Sequence, residues 1–281
     1  MQATRMAFIG GGNMATAIIE GLRRSPGNGT HAEPPIVMVA DPTAARRELL
    51  ASVYAVEVTE DNADAIVGAD VIVLAVKPSQ VQAVCAQLQP TLAPDQLVVS
   101  VAAGIGTVML QDWLGGHAAI VRAMPNTPAM VGCGATGLYA TPALTPMQRN
   151  QAESLLRAVG LVEWIEQEAD MDAVTALSGS GPAYVFLVME AMQSAAEALG
   201  LPAETARLLT LETVYGAARL AMTADESPAQ LRARVTSPHG TTERGIAALE
   251  AADLRGAFLQ ALTAAHARSQ ELGRELSGST C

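Results

Sequence analysis

The stretch that most constrains this chain runs from Arg5 to Ala17. The apolar run Met6-Ala7-Phe8-Ile9 ends in Gly10-Gly11-Gly12, and Asn13-Met14 leads into an alanine-rich helical pattern from Ala15 to Leu22. That reads as strand, tight turn and helix. Gly10 supplies the sharp turn, Gly12 lets a pyrophosphate approach the backbone closely, and Ala15 takes the third small position, where helix packs on strand. The helix start adds free N–H groups and a positive dipole end, which suit phosphate. A glycine triplet alone also serves plain turns. This one follows the first predicted strand and opens the first predicted helix, so it points to dinucleotide binding.

The chain then repeats the strand–helix unit. A Pro-, Gly- and Asn-rich loop from Ser25 to Pro35 leads to a second strand, Ile36 to Ala40, closed by Asp41. An acidic residue there meets the adenosine ribose hydroxyls in dinucleotide folds. Its distance from Gly12 exceeds the usual ~20 residues, and the loop insertion accounts for the excess. Arg46 and Arg47 follow closely and suit a ribose 2′-phosphate instead, so the residues leave both cofactors open; the bland reading is a solvated first helical turn. A short third strand covers Val56 to Val58, and Asn62 lies at a brief helix. The continuous run Val71-Ile72-Val73-Leu74-Ala75-Val76 is what a strand buried on both faces of a parallel sheet looks like. It ends at Lys77-Pro78, and ligands of such sheets sit beyond the carboxyl ends of the strands. Lys77 is the single lysine, against sixteen arginines. A fifth strand, Leu97 to Ser100, ends in Ala102-Ala103-Gly104, and a sixth covers Ala119 to Ala123. Gly134 to Tyr139 and Leu161 to Ile165 are expected to add antiparallel edge strands around a helix from Pro146 to Ala158. This alternation predicts an α/β, doubly wound (Rossmann) domain.

Near the acidic stretch Glu163 to Asp170 the pattern changes, which divides the chain into a dinucleotide-binding domain (1–166) and an all-helical substrate and dimerisation domain (167–281). Helices are expected over Met171 to Leu177, Ala183 to Leu199, Ala203 to Met222 and Ser227 to Val235, with one or two more from Thr242 to Leu272. Ser178-Gly179-Ser180-Gly181-Pro182 is expected to break the first from the second. The helix that begins Tyr184-Val185-Phe186-Leu187-Val188-Met189 is apolar nearly all round and needs burial on every side. A second subunit is the simple way to provide it.

Composition excludes other classes. The formal charge is −11 and no basic cluster occurs, which argues against nucleic acid as a partner. No apolar stretch reaches the ~20 residues of a membrane span. The chain enters its first strand directly, with no signal peptide. Cys85, Cys133 and Cys281 are scattered and odd in number, and His31, His117, His239 and His266 have no ligand spacing. A disulfide framework and a metal site are therefore not expected, and a cytoplasmic protein is.

Five segments stand in order: Ile9-Gly10-Gly11-Gly12-Asn13-Met14, Ala75-Val76-Lys77-Pro78, Met124-Pro125-Asn126-Thr127-Pro128, Ser178-Gly179-Ser180-Gly181-Pro182-Ala183-Tyr184 and Ser237-Pro238-His239-Gly240-Thr241-Thr242. Together they resemble pyrroline-5-carboxylate reductase, the last enzyme of proline biosynthesis. The resemblance covers essentially the whole chain, and the last three segments are specific to that family. It implies hydride transfer from NAD(P)H, more often NADPH than NADH, to the cyclic imine 1-pyrroline-5-carboxylate, giving L-proline. It also implies a homo-oligomer, at least a dimer, that interleaves its helical domains. By that resemblance Ile9 to Met14 hold the pyrophosphate. Asp41 sits by the adenosine ribose and Asn62 on the adenine side. Ala75, Val76, Lys77 and Pro78 line the nicotinamide end, with Val101, Ala102 and Ala103. Glu168, Ser237, Gly240, Thr241 and Thr242 meet the substrate, with Thr242 and Lys77 as the catalytic pair. β-Hydroxyacid dehydrogenases share the two-domain plan, but as a family they use a lysine in the helical domain, where this chain has none. Another small-imine or ketol-acid reductase, or a non-catalytic nucleotide sensor, is the remaining alternative. His239 departs from the family's usual glycine. Histidine tolerates positive φ better than most residues, so the loop is expected to survive the change.

Overall fold

Eight short apolar segments pair edge to edge in the computed structural model, which describes residues 3–24 and 34–278. The strands are β1 (Arg5–Ile9), β2 (Ile36–Ala40), β3 (Glu57–Thr59), β4 (Val71–Leu74), β5 (Leu97–Ser100), β6 (Ile120–Met124), β7 (Gly134–Ala140) and β8 (Gly160–Trp164). They form one sheet in the order β3-β2-β1-β4-β5-β6-β7-β8. The first six pair parallel with one another. Their connections carry helices α1 (Asn13–Arg24), α2 (Ala44–Tyr54), α3 (Asn62–Ile66), α4 (Pro78–Leu88) and α5 (Thr107–Trp113). The order reverses between β1 and β4, and this switch point is where ligands of such sheets bind.

β7 runs antiparallel to β6, as expected, whereas β8 pairs parallel with β7. Helix α6 (Pro146–Arg157) returns the chain to the starting end of β7 before β8 begins, and such a crossover makes the pair parallel. β4 is buried along its whole length, because apolar clusters cover both faces of the sheet. One face packs Phe8, Val73, Val99 and Val121 against Ile18, Ile19, Leu155 and Leu156. The other packs Ile9, Ile72, Leu74 and Val98 against Val81, Leu88, Ile105 and Leu110.

The structure separates into two units, Met1–Ser180 with Ala265–Cys281, and Gly181–Ala264. The end of the first unit corrects one expectation. The Ser-Gly-Ser-Gly run does not break the helix that α7 (Met171–Val174) starts; residues Thr175–Gly179 continue it as a π-helical turn. The Ser180 N–H reaches back five residues to the Thr175 carbonyl. The hydroxyls of Thr175 and Ser178 bond the carbonyls of Met171 and Val174. A Cβ on Gly179 would lie 2.5 Å from the Met124 terminal methyl, so the turn packs closely on the Met124 side chain at the end of β6.

The second unit is helical. It holds α8 (Gly181–Ala198), α9 (Ala203–Thr223), α10 (Pro228–Arg234), α11 (Thr241–Ala251) and the start of α12 (Leu254–Leu276). α8 contains no buried residue, and Val185, Phe186, Leu187, Val188 and Met192 are all exposed. α9 likewise exposes Leu208, Leu209, Leu211, Tyr215 and Met222. Within a single chain these apolar helices lack a cover. The expected loop Ser25 to Pro35 falls mostly on residues 25–33, outside the described residues. His31 and Cys281 lie outside them too.

Candidate dinucleotide and substrate sites

The glycine turn is held by its neighbours. Gly10 has φ +96°, and a Cβ there would lie 2.9 Å from both the Ala75 carbonyl oxygen and a Val76 methyl. The chain leaves β1 across the end of β4, and a side chain would block the crossing. Gly12 is exposed, and a Cβ on it would meet nothing nearer than the Ala75 oxygen at 4.0 Å. A pyrophosphate has room to reach the backbone there. Asn13 opens α1, so the N–H groups of its first turn face the same side. These features fit a dinucleotide phosphate.

Asp41 is bound into this turn. Its two carboxylate oxygens accept the N–H groups of Gly11 and Thr43, each at 2.9 Å. Arg46 donates to the Gly11 carbonyl and to the Thr16 hydroxyl. Arg47 donates to the Asp41 carbonyl at 2.7 Å and to Glu60 at 3.2 Å. Acid and arginines thus meet at one edge, as the sequence spacing predicts, and the Gly11 peptide is clamped on both sides. Asn62 donates to Gln87 at 2.7 Å.

Ala75, Val76, Lys77 and Pro78 leave β4 beside this turn. The Ala75 N–H bonds the Ile9 carbonyl, and the Val101 N–H bonds the Leu74 carbonyl. Val101, Ala102 and Ala103 therefore stand next to Ala75 at the carboxyl edge of the sheet. Lys77 is exposed at the N-cap of α4, with Pro78 as the first helical residue.

Glu168 is engaged within the first unit. Its carboxylate accepts the Thr107 N–H at 2.7 Å and the Thr107 hydroxyl at 2.5 Å, and Arg122 lies 3.4 Å away. Arg122 also faces Asp172 at 3.7 Å, and Asp172 accepts the Ser269 hydroxyl at 2.7 Å. Arg122 and Thr107 are absent from the sequence reading, because Arg122 looks there like a stray charge in an apolar strand. Asn126 explains part of the Met-Pro-Asn-Thr-Pro segment: its side chain donates to the Ser178 carbonyl and accepts the Ala135 N–H.

In the second unit, Gly240 is the N-cap of α11, and no side chain caps that helix. Ser237, Thr241 and Thr242 are exposed, and their hydroxyls leave the cap open. The Gly240 N–H turns back to the Ser237 carbonyl at 3.0 Å. His239 holds φ +62°, and its N–H donates to the Glu243 carboxylate at 2.8 Å. The loop accommodates histidine in the left-handed region, and the acid three residues into the helix secures it.

A family model described as pyrroline-5-carboxylate reductase dimerisation matches residues 168–272, and one described as NADP oxidoreductase, coenzyme F420-dependent, matches residues 5–104. A pyrroline-5-carboxylate reductase of Pseudomonas aeruginosa is 50% identical over 276 residues, spanning 98% of this chain and 99% of that one. The chain belongs to the pyrroline-5-carboxylate reductase family. The solved pyrroline-5-carboxylate reductase of Coxiella burnetii is 46% identical, covers 96% of this chain and 99% of its own, and superposes with a TM-score of 0.89. The Plasmodium falciparum member, solved with NADP bound, is 27% identical, covers 97% and 99%, and has a TM-score of 0.82. Among the described residues no helix is long and apolar enough to cross a membrane, and no group of three His, Cys, Asp or Glu is placed to hold a metal.

Proposed function

We propose that this chain reduces 1-pyrroline-5-carboxylate to L-proline, with NADPH as the preferred reductant. The observation that carries the reading is the exposed glycine turn at the sheet's switch point, on a chain that also holds the reductase family's dimerisation segment. When bound, the dinucleotide supplies the hydride, and a proton completes the ring nitrogen. Ile9 to Met14 hold the pyrophosphate through main-chain amides. Asp41 and Asn62 border the adenosine half, and Arg46 and Arg47 favour a 2′-phosphate there. Ala75 to Pro78 and Val101 to Ala103 line the nicotinamide end, where Lys77 brings its ammonium to the ribose.

The amides of Gly240, Thr241 and Thr242 hold the substrate carboxylate at the open start of α11, and the Thr242 hydroxyl orients the imine nitrogen. Ser237 and Glu168 complete the substrate set. Holding the imine carbon against the hydride donor is the main catalytic task, because such orientation is worth several kcal/mol. Functionally the chain divides at residues 166/167 into a dinucleotide half and a substrate and dimerisation half. It works as a dimer or larger assembly in the cytoplasm, and a net charge of −11 gives it no attraction to nucleic acid.

The test is oxidation of NADPH and of NADH, followed by their absorbance, with 1-pyrroline-5-carboxylate as acceptor. The expected outcome is proline formed in step with cofactor consumed, and a higher kcat/KM with NADPH. Cofactor consumed only with other imines or with oxo acids would replace this substrate by another hydride acceptor.

A further inference from the structure

The loop between β5 and α5 is keyed at both ends to one buried arginine. Arg122 is 8% exposed in the middle of β6, paired in register with Ser100, the residue just before the loop. Its guanidinium faces Glu168 and Asp172. Glu168 in turn grips Thr107, the first residue after the loop, by both backbone N–H and hydroxyl. A helix start whose N-cap is Gly106, with no side chain to cap it, thus receives its cap from a carboxylate 61 residues away. Asp172 extends the same cluster to Ser269, which is 5% exposed, on the last part of α12. That part of α12 also covers the loop itself: a Cβ on Gly104, at φ +77°, would lie 3.4 Å from a Leu276 methyl and 3.6 Å from Leu272. Two partly exposed carboxylates, with two hydroxyl donors and a backbone N–H, gather around the buried guanidinium, and loss of either acid takes a partner from that charge.

We propose that Arg122, Glu168 and Asp172 form a positioning cluster that sets the 101–106 loop for hydride transfer. The proposal rests on the assignment of Val101–Ala103 to the nicotinamide end. Arg122 and Asp172 need not touch the reacting atoms, and Glu168, which the proposed function also sets beside the substrate, grips the end of the loop through Thr107. Their effect passes through Thr107 and Gly104 to the edge on which the nicotinamide lies, and a displacement of about 1 Å there costs up to a hundredfold in rate.

The experiment compares wild type with Asp172→Asn, Arg122→Met and Arg122→Lys in the full chain. It measures kcat/KM per folded protein, NADPH affinity by fluorescence, and the primary deuterium isotope effect with C4-deuterated NADPH. Amide exchange over residues 101–107 is followed in parallel. Asp172→Asn and Arg122→Met should lower kcat/KM between roughly tenfold and a hundredfold. NADPH affinity should stay near wild type, the isotope effect should rise, and exchange should quicken selectively in 101–107. Arg122→Lys keeps the charge without the planar fork and should recover part of the rate. A loss that follows only the folded fraction, with the isotope effect unchanged, would mean the cluster merely supports the fold and would overturn the proposal. So would full activity in Arg122→Met. An inactive wild type would instead overturn the assigned reaction.

Discussion

Lys77 and Thr242 are placed by opposite devices. Lys77 follows a buried strand and caps α4 with extended backbone; among the described residues its ammonium has no hydrogen-bond or ion-pair partner. A side chain held at a sheet's ligand edge without a structural partner can be removed at little cost to folding. Lys77→Ala is therefore expected to lower kcat/KM or NADPH affinity by roughly tenfold, the worth of one hydrogen bond to a charged group. Its melting temperature should match wild type, and unchanged kinetics would dissociate Lys77 from the cofactor. Thr242 stands in the first turn of α11, which no side chain caps. Thr242→Val keeps the shape and removes the hydroxyl. The expected cost is on the order of 1.5–3 kcal/mol, about ten- to a hundredfold in kcat/KM for the imine, with NADPH binding unaffected. Wild-type kcat/KM in this variant would refute the role. Gly10 differs from both, since its positive φ and its 2.9 Å approach to Ala75 leave no room for any side chain. That made it legible from sequence, as glycine alone fits such a crossing.

At the scale of elements, what was legible is what local pattern dictates. The continuous apolar run from Val71 gave β4 and Pro78 after it gave the start of α4, and both agree with the structure. The π-turn at Thr175–Gly179 was illegible because glycine and serine are ordinary breakers; here the Thr175 and Ser178 hydroxyls bond back to the Met171 and Val174 carbonyls and the Ser180 N–H to that of Thr175. Arg122 was missed for a related reason, since its partner Glu168 is 46 residues away and no periodicity links them. The edge opposite the glycine turn has a polar support of its own. Buried Gln96 donates to the carbonyls of Ile66 and Ala69 and accepts the Ala93 N–H. The Gln96 carbonyl accepts from the His117 ring at 2.8 Å, so Nε2 carries the proton. Burial holds the His117 imidazole below its ordinary range, against a smaller upward pull from backbone hydrogen bonds to Gln96 and Ala119. The unfolded chain takes up a proton near pH 6.5, where the folded chain does not, so stability is lost as pH falls below about 6.5. Urea midpoints at about pH 7.5 and pH 5 should therefore fall less in His117→Gln than in wild type. An equal fall would remove His117 from the pH response.

For the molecule as a whole, the exposed apolar residues of α8 and α9 determine the state of assembly. A helix with Val185, Phe186, Leu187 and Val188 all in solvent would expose a patch of the kind that marks an interface. Light scattering at micromolar concentration is expected to give at least twice the 29.0 kDa chain mass. Phe186→Glu, which puts a charge in that patch, should shift the mass toward one chain. A monomeric wild type would count against the dimer. The dispersed makeup of the first unit has a consequence for synthesis. Residues 1–180 leave the ribosome first, yet the part of α12 that covers Gly104 and bonds Asp172 comes only from residue 265 onward. The nascent first unit therefore waits through the translation of the whole second unit with Leu272, Leu276 and Ser269 missing from its flank. Its loop at 101–106 becomes fully supported only after the whole of the second unit has been made.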